Sequence, residues 1–315
     1  MLIRHLTYFS VLAREQHFAR AAEACNVAQP TLSAGIRTLE QTLGARLVVR
    51  GRNYVGLTAE GERVLAWAQQ ILVDYDSLVQ DLDDLGKGLS GTLRLGVIPA
   101  AMPCTALITD ALLRRHPGMS VDIRSMTSKA IQRGLDEFEI DAAVTYLDNE
   151  PLVRVRRLAL YVERFVLATG RQGLLGERAA ITWREAAGLR LCLLSDDMQN
   201  RRIIDAVLHG EGLDVAPPVT ANSFLALNAH LLTGAWSSIV PHTFGRLFGR
   251  SDDIALIPLT EPSHSQTIGL VVCEREPQSP TARAVWSCAQ GLGLQAALEG
   301  DAATPGVDRS ALSKR

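Results

Sequence analysis

The chain has 315 residues, of which 47% are apolar and 21% charged. That composition is globular and excludes a disordered chain, and the length asks for two or three domains rather than one core. Thirty-two basic against thirty-four acidic side chains leave a formal charge of -2, so the total announces no nucleic-acid partner, although a small basic domain can hide inside it.

The opening segment, residues 1–18, carries charge inside its apolar run and lacks a small-residue cleavage site, so it does not read as a signal peptide. The sequence contains no uncharged apolar stretch of the length that spans a bilayer, and no membrane partner is expected. Five cysteines, at 25, 104, 192, 273 and 288, are far apart and form no CxxC. Disulfide scaffolding, metal binding and a bound cofactor are therefore not expected, and a cytoplasmic location is.

Charge is distributed unevenly along the chain. Residues 1–65 carry +3, whereas residues 66–92, with Asp74, Asp76, Asp81, Asp83 and Asp84 against Lys87 alone, carry -4. The basic head reads as helices. Leu6, Phe9, Leu12 and Ala13 recur with helical period, and an alanine-rich run follows from Phe18 to Ala24. Cys25-Asn26-Val27 is a turn. The next helix opens near Gln29-Pro30-Thr31, buries Leu32, Ile36, Leu39 and Leu43, exposes Thr31, Ser33, Ala34, Arg37 and Thr38, and ends at Gly44. Two short strands, at Leu47–Val49 and Tyr54–Val55, make a hairpin with Arg46, Arg50 and Arg52 around its tip. Together these elements describe a winged helix-turn-helix.

Thr58 is placed to cap a helix reaching about Leu85. Val64, Ala68, Ile71, Tyr75, Leu78, Leu82 and Leu85 alternate at spacings of four and three, a heptad seam. The seam asks for a partner helix from a second subunit, or else packs on its own chain. A hinge over Gly86, Gly88, Ser90 and Gly91 follows.

From Thr92 onward, strands and helices alternate in α/β order, which predicts a mostly parallel sheet. Strands are expected near 93–98, 119–125, 140–145, 164–168, 190–194, 215–221, 236–240, 254–257 and 267–273. Helices are expected near 103–115, 129–135, 201–209, 224–233 and 280–298, and a loose tail after Gly300.

Several stretches carry a family resemblance. Phe18 to Ser33, Ile36-Arg-Thr-Leu-Glu40, Leu43-Gly44, Leu47, Arg50 and Leu57-Thr-Ala-Glu-Gly61 resemble the DNA-binding domain of LysR-type transcriptional regulators, and the length and α/β remainder agree. The resemblance implies a winged helix-turn-helix over 1–58, a dimerising linker helix and hinge over 59–90, and a two-lobed α/β effector-binding domain over 91–300, similar to periplasmic binding proteins, ahead of a flexible tail at 301–315. Lobe one would take about 91–161 and 268–300, and lobe two about 162–267.

An α-helix fits the major groove, where each base pair shows a distinct pattern of donors and acceptors. Gln29, Pro30, Thr31, Ser33 and Arg37 are the candidate DNA-reading residues, with Arg50 and Arg52 on the wing against phosphates or the minor groove. The bland alternative for each is a solvated surface, and for Thr31 a helix cap. Ala34 and Gly35 depart from the family's long polar residues, and Gly35 weakens a helix by about 0.5–1 kcal/mol relative to Ala. The resemblance implies double-stranded promoter DNA as partner, a homodimer or homotetramer, DNA bending, and contact with RNA polymerase.

For the effector cleft, the resemblance points to Ala100, Ala101 and Met102 after the first strand, Thr127 and Ser128 before a helix, and Tyr146 and Asp148 after the third strand. From the other lobe it points to Ser195, Gln199 and Asn200, and Asn222, Ser223 and Phe224. Met198 and Trp236 are further candidates, the latter as cleft wall or core. Family habit suggests a small carboxylate, which Arg201 or Arg202 would attract, although Asp148 and the alanines argue against it. Redox sensing is the alternative. It would use Cys104, whose position at a helix start favours a lowered pKa, whereas Cys192 reads as core. An enzyme or a cytoplasmic small-molecule-binding protein without DNA activity is the reading of a different class. The sequence holds no GxxxxGK, GxSxG or HExxH, and its histidines join no acid–base set.

Overall fold

A computed structural model describes residues 2–50, 54–171, 175, 177–248 and 253–299. Arg52 and the expected tail at 301–315 lie outside the described residues, as do the side chains of Arg50 and Leu85. The chain forms two compact units that divide at Gly91 and Thr92, with Gly134–Glu139 grouped with the first.

The first unit holds α1 (Leu2–Glu15), α2 (Phe18–Ala24), α3 (Gln29–Leu43), β1 (Val48–Arg50), β2 (Tyr54–Leu57) and α4 (Ala59–Lys87). Leu6, Phe9 and Leu12 of α1 meet Ala21 and Ala22 of α2 and Leu32, Ile36 and Leu39 of α3 in one core. The expected turn places Asn26 at φ 52, a left-handed conformation that asparagine tolerates. Gly44 ends α3 in the left-handed conformation, its N–H returned to the helix. Leu43, expected on the buried side, is instead exposed, because the last turn of α3 runs past the edge of this small core.

Two glycines are fixed by close approach. A Cβ on Gly35 would stand 2.7 Å from Cδ2 of Tyr8, so the residue that costs α3 some helix propensity lets it lie against α1. A Cβ on Gly61 would run into the carbonyl oxygen of Leu47. The Thr58 hydroxyl donates to Arg46 O at 2.6 Å and accepts from Gly61 N at 2.9 Å, which caps α4 and ties its start to the wing.

The second unit continues through β3 (Ser90–Val97), a 3-10 turn at Pro99–Ala101, α5 (Met102–Arg115), β4 (Gly118–Ser125), α6 (Ser128–Asp136), β5 (Ala142–Tyr146) and β6 (Val155–Gly170). Then come β7 (Ile181–Thr182), α7 (Trp183–Ala187), β8 (Cys192–Leu194), α8 (Gln199–Gly210), β9 (Val219–Ala221), α9 (Phe224–Leu231) and β10 (Ser237–Pro241). A 3-10 turn at His242–Phe244, α10 (Gly245–Phe248), β11 (Ile254–Thr260), β12 (Ser265–Cys273), α11 (Pro280–Gln290) and α12 (Leu294–Glu299) complete it.

The main sheet runs β4-β3-β5-β12-β6-β11-β7, with β10 also paired to β6, and β8 and β9 form a separate parallel pair. The expectation of a mostly parallel sheet is corrected. β3 and β5 run parallel, as do β11 and β7, but β12 is antiparallel to β5 and β6, and β6 is antiparallel to β10 and β11. The reason is the length of β6, which pairs β12 over Val155–Arg164 and then β10 and β11 over Phe165–Gly170. The single long helix expected near 280–298 is broken in two, with Gly291 and Gly293 between α11 and α12.

Candidate nucleic-acid interface and effector cavity

α3 turns its apolar side into the first unit's core and leaves Gln29, Pro30, Thr31, Ala34, Arg37 and Thr38 exposed, with Ser33 half-buried. The helix starts at Gln29 behind an extended Ala28 with no side-chain cap. Thr31 is thus not a cap; Pro30 has no N–H to satisfy, and the N–H groups of Thr31 and Leu32 turn back to Ala28 O at 2.9 and 3.2 Å. Arg37 leans back on Ser33 O at 3.4 Å, a weak tether that leaves its guanidinium exposed. The wing is held to this helix through Glu40, whose Oε1 accepts from Leu47 N at 3.0 Å and Val48 N at 3.3 Å.

The expected seam of α4 divides. Ala68 is fully buried in the core of its own unit, and Val64 packs against that core with Leu65 and Leu72. Ala68 is thus used within its own chain, because the first turns of α4 close the head, whereas Val64 is only partly covered there. Beyond them Ile71, Tyr75, Leu78 and Leu82 are 39%, 46%, 57% and 62% exposed, and Trp67, outside the heptad, is 70% exposed.

In the second unit a cavity of about 10 Å³, room for roughly one water molecule, is lined by Ile98, Pro99, Ala100, Met126, Thr127, Ser128, Tyr146, Leu194, Met198, Gln199 and Asn200. Three helix starts converge on it, the 3-10 turn leading into α5, Ser128 of α6 and Gln199 of α8. Of the expected effector residues, Ala100, Thr127, Ser128, Tyr146, Gln199 and Asn200 come together here.

The other expected effector residues lie off the cavity wall. Ala101 is fully buried at the end of the turn, and Met102 starts α5. Asp148 accepts from Thr267 N at 2.6 Å, Ser195 donates to Asp197 at 2.5 Å, and Ser223 caps α9. Asn222 precedes that cap, and Phe224 packs edge-on against Phe244 with ring centroids 5.6 Å apart. Trp236 holds Arg190 over its ring at 4.0 Å and likewise does not line the cavity.

Behind the cavity stands a buried acid with no local sequence signal. Tyr146 donates to Glu163 Oε1 at 2.5 Å and accepts from Asn200 Nδ2 at 2.9 Å. Glu163 is fully buried, and burial pushes its carboxyl up to about 8, against the pull of the Tyr146 hydrogen bond. Tyr146 and Tyr161 are raised by the same burial and by the neighbouring carboxyl. The arginines that suggested a carboxylate effector are engaged elsewhere. Arg201 binds Asp205 at 2.7 Å and Leu194 O at 2.9 Å, while Arg202 binds Glu150, Ser128 and the carbonyls of Asp196 and Asp197.

The expected lowering of the Cys104 pKa is also corrected. Its Sγ donates to Ala101 O at 3.1 Å, and burial pushes the thiol up to about 12. Burial raises Cys192 and Cys25 as well. Among the described residues no cluster of three or more His, Cys, Asp or Glu is arranged to hold a metal ion, and no helix is long and apolar enough to cross a membrane.

A family described as bacterial regulatory helix-turn-helix protein, lysR family, matches residues 3–62, and one described as LysR substrate binding domain matches residues 86–292. The chain belongs to the LysR family. Its head is that family's DNA-binding winged helix-turn-helix, and the LysR architecture of head, linker helix and two-lobed α/β domain accounts for the rest.

The LysR chain is 28% identical to the DNA-binding transcriptional dual regulator OxyR of Escherichia coli K12 over 274 residues, 86% of this chain and 89% of the relative. It is 30% identical to a probable hydrogen peroxide-inducible genes activator of Streptomyces viridosporus over 245 residues, 76% of this chain and 78% of the relative. A full-length OxyR cysteine-to-aspartate variant from Pseudomonas aeruginosa superposes with a TM-score of 0.74 at 25% identity, covering 94% of this chain and 96% of that one.

Proposed function

We propose that this LysR-family protein is a transcription regulator controlled by a small molecule held non-covalently between Thr127–Ser128 and Gln199–Asn200. Two copies pair through Ile71, Tyr75, Leu78 and Leu82 of α4. Each copy lays α3 in a major groove, with Gln29, Pro30, Thr31, Ser33 and Arg37 at the bases and phosphates, and the pair reads an inverted repeat in promoter DNA. Arg50 and Arg52 take the wing role, and RNA polymerase is the downstream partner. The ligand shifts the relation between the lobes and hence between the heads, which requires that it bind one arrangement better than the other.

The observation that carries the ligand reading is a cavity walled from two sides by loops at helix starts, with buried polar atoms left over. Native mass spectrometry of the purified protein should show a bound small molecule that Ala100→Trp, whose side chain far exceeds the cavity, loses. Absence of any adduct, together with a normal transcriptional response of Ala100→Trp, would overturn it.

A second reading follows from the relatives' names, which tie OxyR-like proteins to hydrogen peroxide. In it a thiolate attacks the peroxide O–O bond, giving sulfenic acid and hydroxide. The raised pKa of Cys104, Cys192 and Cys25 opposes this at neutral pH. Peroxide treatment with thiols counted by mass separates the two readings. Unchanged thiols and operator affinity favour the ligand, and loss of a thiol with a change in operator affinity favours oxidation.

A further inference from the structure

The chemistry of the cavity wall specifies what kind of molecule it takes, an inference that rests on the ligand reading above. Gln199 and Asn200 are 3% and 4% exposed, both line the cavity, and among the described residues Gln199 Oε1 and Asn200 Oδ1 have no hydrogen-bond partner. Their amide nitrogens are committed, Gln199 Nε2 to the carbonyl of Asn149 and Asn200 Nδ2 to the Tyr146 hydroxyl at 2.9 Å. Turning the Gln199 amide over would set its oxygen against the Asn149 carbonyl, so that orientation is fixed. The leftover amide atoms are acceptors, and they ask for donors.

The opposite demand comes from the backbone. α8 starts at the cavity with no side-chain cap, and α6 starts there with Ala130 N already held by the Thr127 hydroxyl at 3.2 Å; the first-turn N–H groups that remain ask for acceptors. The wall carries no ionisable group except the Tyr146 phenol, which already donates to Glu163 and accepts from Asn200. Behind it, among the described residues, no cation shifts Glu163, and its Oε2 has no hydrogen-bond partner. Burial holds that carboxyl mainly protonated at neutral pH. The charges nearest the wall, Arg202 and Glu150 on Ser128, neutralise each other, so a ligand of either net charge meets no unbalanced counter-charge.

We propose that the cavity reads an uncharged head group that donates and accepts together, with a primary carboxamide as the simplest case, and rejects the carboxylate of the same shape. The carboxamide NH2 meets the free oxygens of Gln199 and Asn200, and its carbonyl meets the helix-start N–H groups. A carboxylate matches the helix starts but sets acceptor against acceptor at the two side chains. An ammonium matches the side chains and opposes the helix dipoles. The present form has room for about one water molecule, so the carboxamide enters with the lobes apart and takes that place as they close.

The test is titration of the full-length protein at pH 7 and constant ionic strength with acetamide, sodium acetate and methylammonium chloride, read by thermal shift and by ligand-observed NMR. Acetamide should bind saturably, with half-saturation at least tenfold below that of acetate and methylammonium. Ala100→Trp and Asn200→Leu should each weaken it at least tenfold. If Asn200→Leu does not fold, Gln199→Leu replaces it, since its oxygen is the other free acceptor. Equal or tighter binding of acetate or methylammonium overturns the proposal, as does acetamide binding that Ala100→Trp leaves intact or the absence of saturable acetamide binding. If native mass spectrometry still finds a cavity-bound molecule in that case, only the carboxamide class falls; if it finds none, the ligand reading falls with it.

Discussion

Nε and Nη2 of Arg202 donate to the two carboxylate oxygens of Glu150, each at 2.6 Å, and Nη2 also reaches the Ser128 hydroxyl at 3.3 Å. This clasp joins α8 to the segment after β5 beside the cavity. The Arg202 hydrogen bonds hold the Glu150 carboxyl below its usual range. A depressed carboxylate contributes stability that is present above its unfolded pKa and is lost as pH falls through the folded value. The clasp is therefore closed at neutral pH and opens only in acid. Because both groups are partly exposed, Arg202→Ala should cost only ~0–1 kcal/mol of global stability. Hydrogen exchange checks the local effect, and amides at 147–150 should lose protection.

Gly35 is a packing residue. Gly→Ala in a helix interior normally gains about 0.5–1 kcal/mol. Here the methyl meets the Tyr8 ring at 2.7 Å, so Gly35→Ala should destabilise the head by ~1–3 kcal/mol. Urea unfolding measures the sign, and a gain in stability would contradict the packing.

α4 should respond differently along its length. Ala68→Asp buries a charge in the head core and should lose ~3 kcal/mol or more of head stability. Ile71→Asp with Leu78→Asp should leave each head folded and halve the mass seen by light scattering. An unchanged mass would reject the seam.

Glu163 gives the second unit a pH signature. Its folded pKa of about 8 lies above the ordinary carboxyl value, so the folded state holds a proton that the unfolded state releases. Stability should fall as pH rises from about 4.5 to 8 and level off beyond. Glu163→Gln should flatten that slope, which thermal unfolding across pH 5–9 measures. An identical slope would show that the carboxyl is not the titrating group.

α3 is legible because its pattern is local: Leu32, Ile36 and Leu39 mark one side, Pro30 the start and Gly44 the end. Ala100, Thr127, Ser128, Gln199 and Asn200 come from the family resemblance, which carries positions and not contacts. The seam was legible only as a period. Whether Ala68 met its own chain or another depended on how α1 and α3 close the head. β6 extends well beyond the strand expected at 164–168, and Arg156, Arg157 and Glu163 hide that length by interrupting its apolar alternation. Glu163 in turn looks like a solvent-facing charge between Val162 and Arg164. Its burial follows from Gln266 paired opposite it on β12 and from Tyr146 on β5, contacts remote in sequence.

The central claim is that α3 reads duplex DNA, and the direct measurement is fluorescence anisotropy of the protein on its own upstream DNA and on random duplex over a range of salt. The wild type should prefer its own DNA. Ser33→Ala with Arg37→Ala should weaken that binding at least tenfold, about 1.4 kcal/mol, and reduce the salt slope by about one, with helix content and oligomer mass unchanged. Equal affinity for both duplexes, or a double variant that binds as tightly as the wild type, would contradict it.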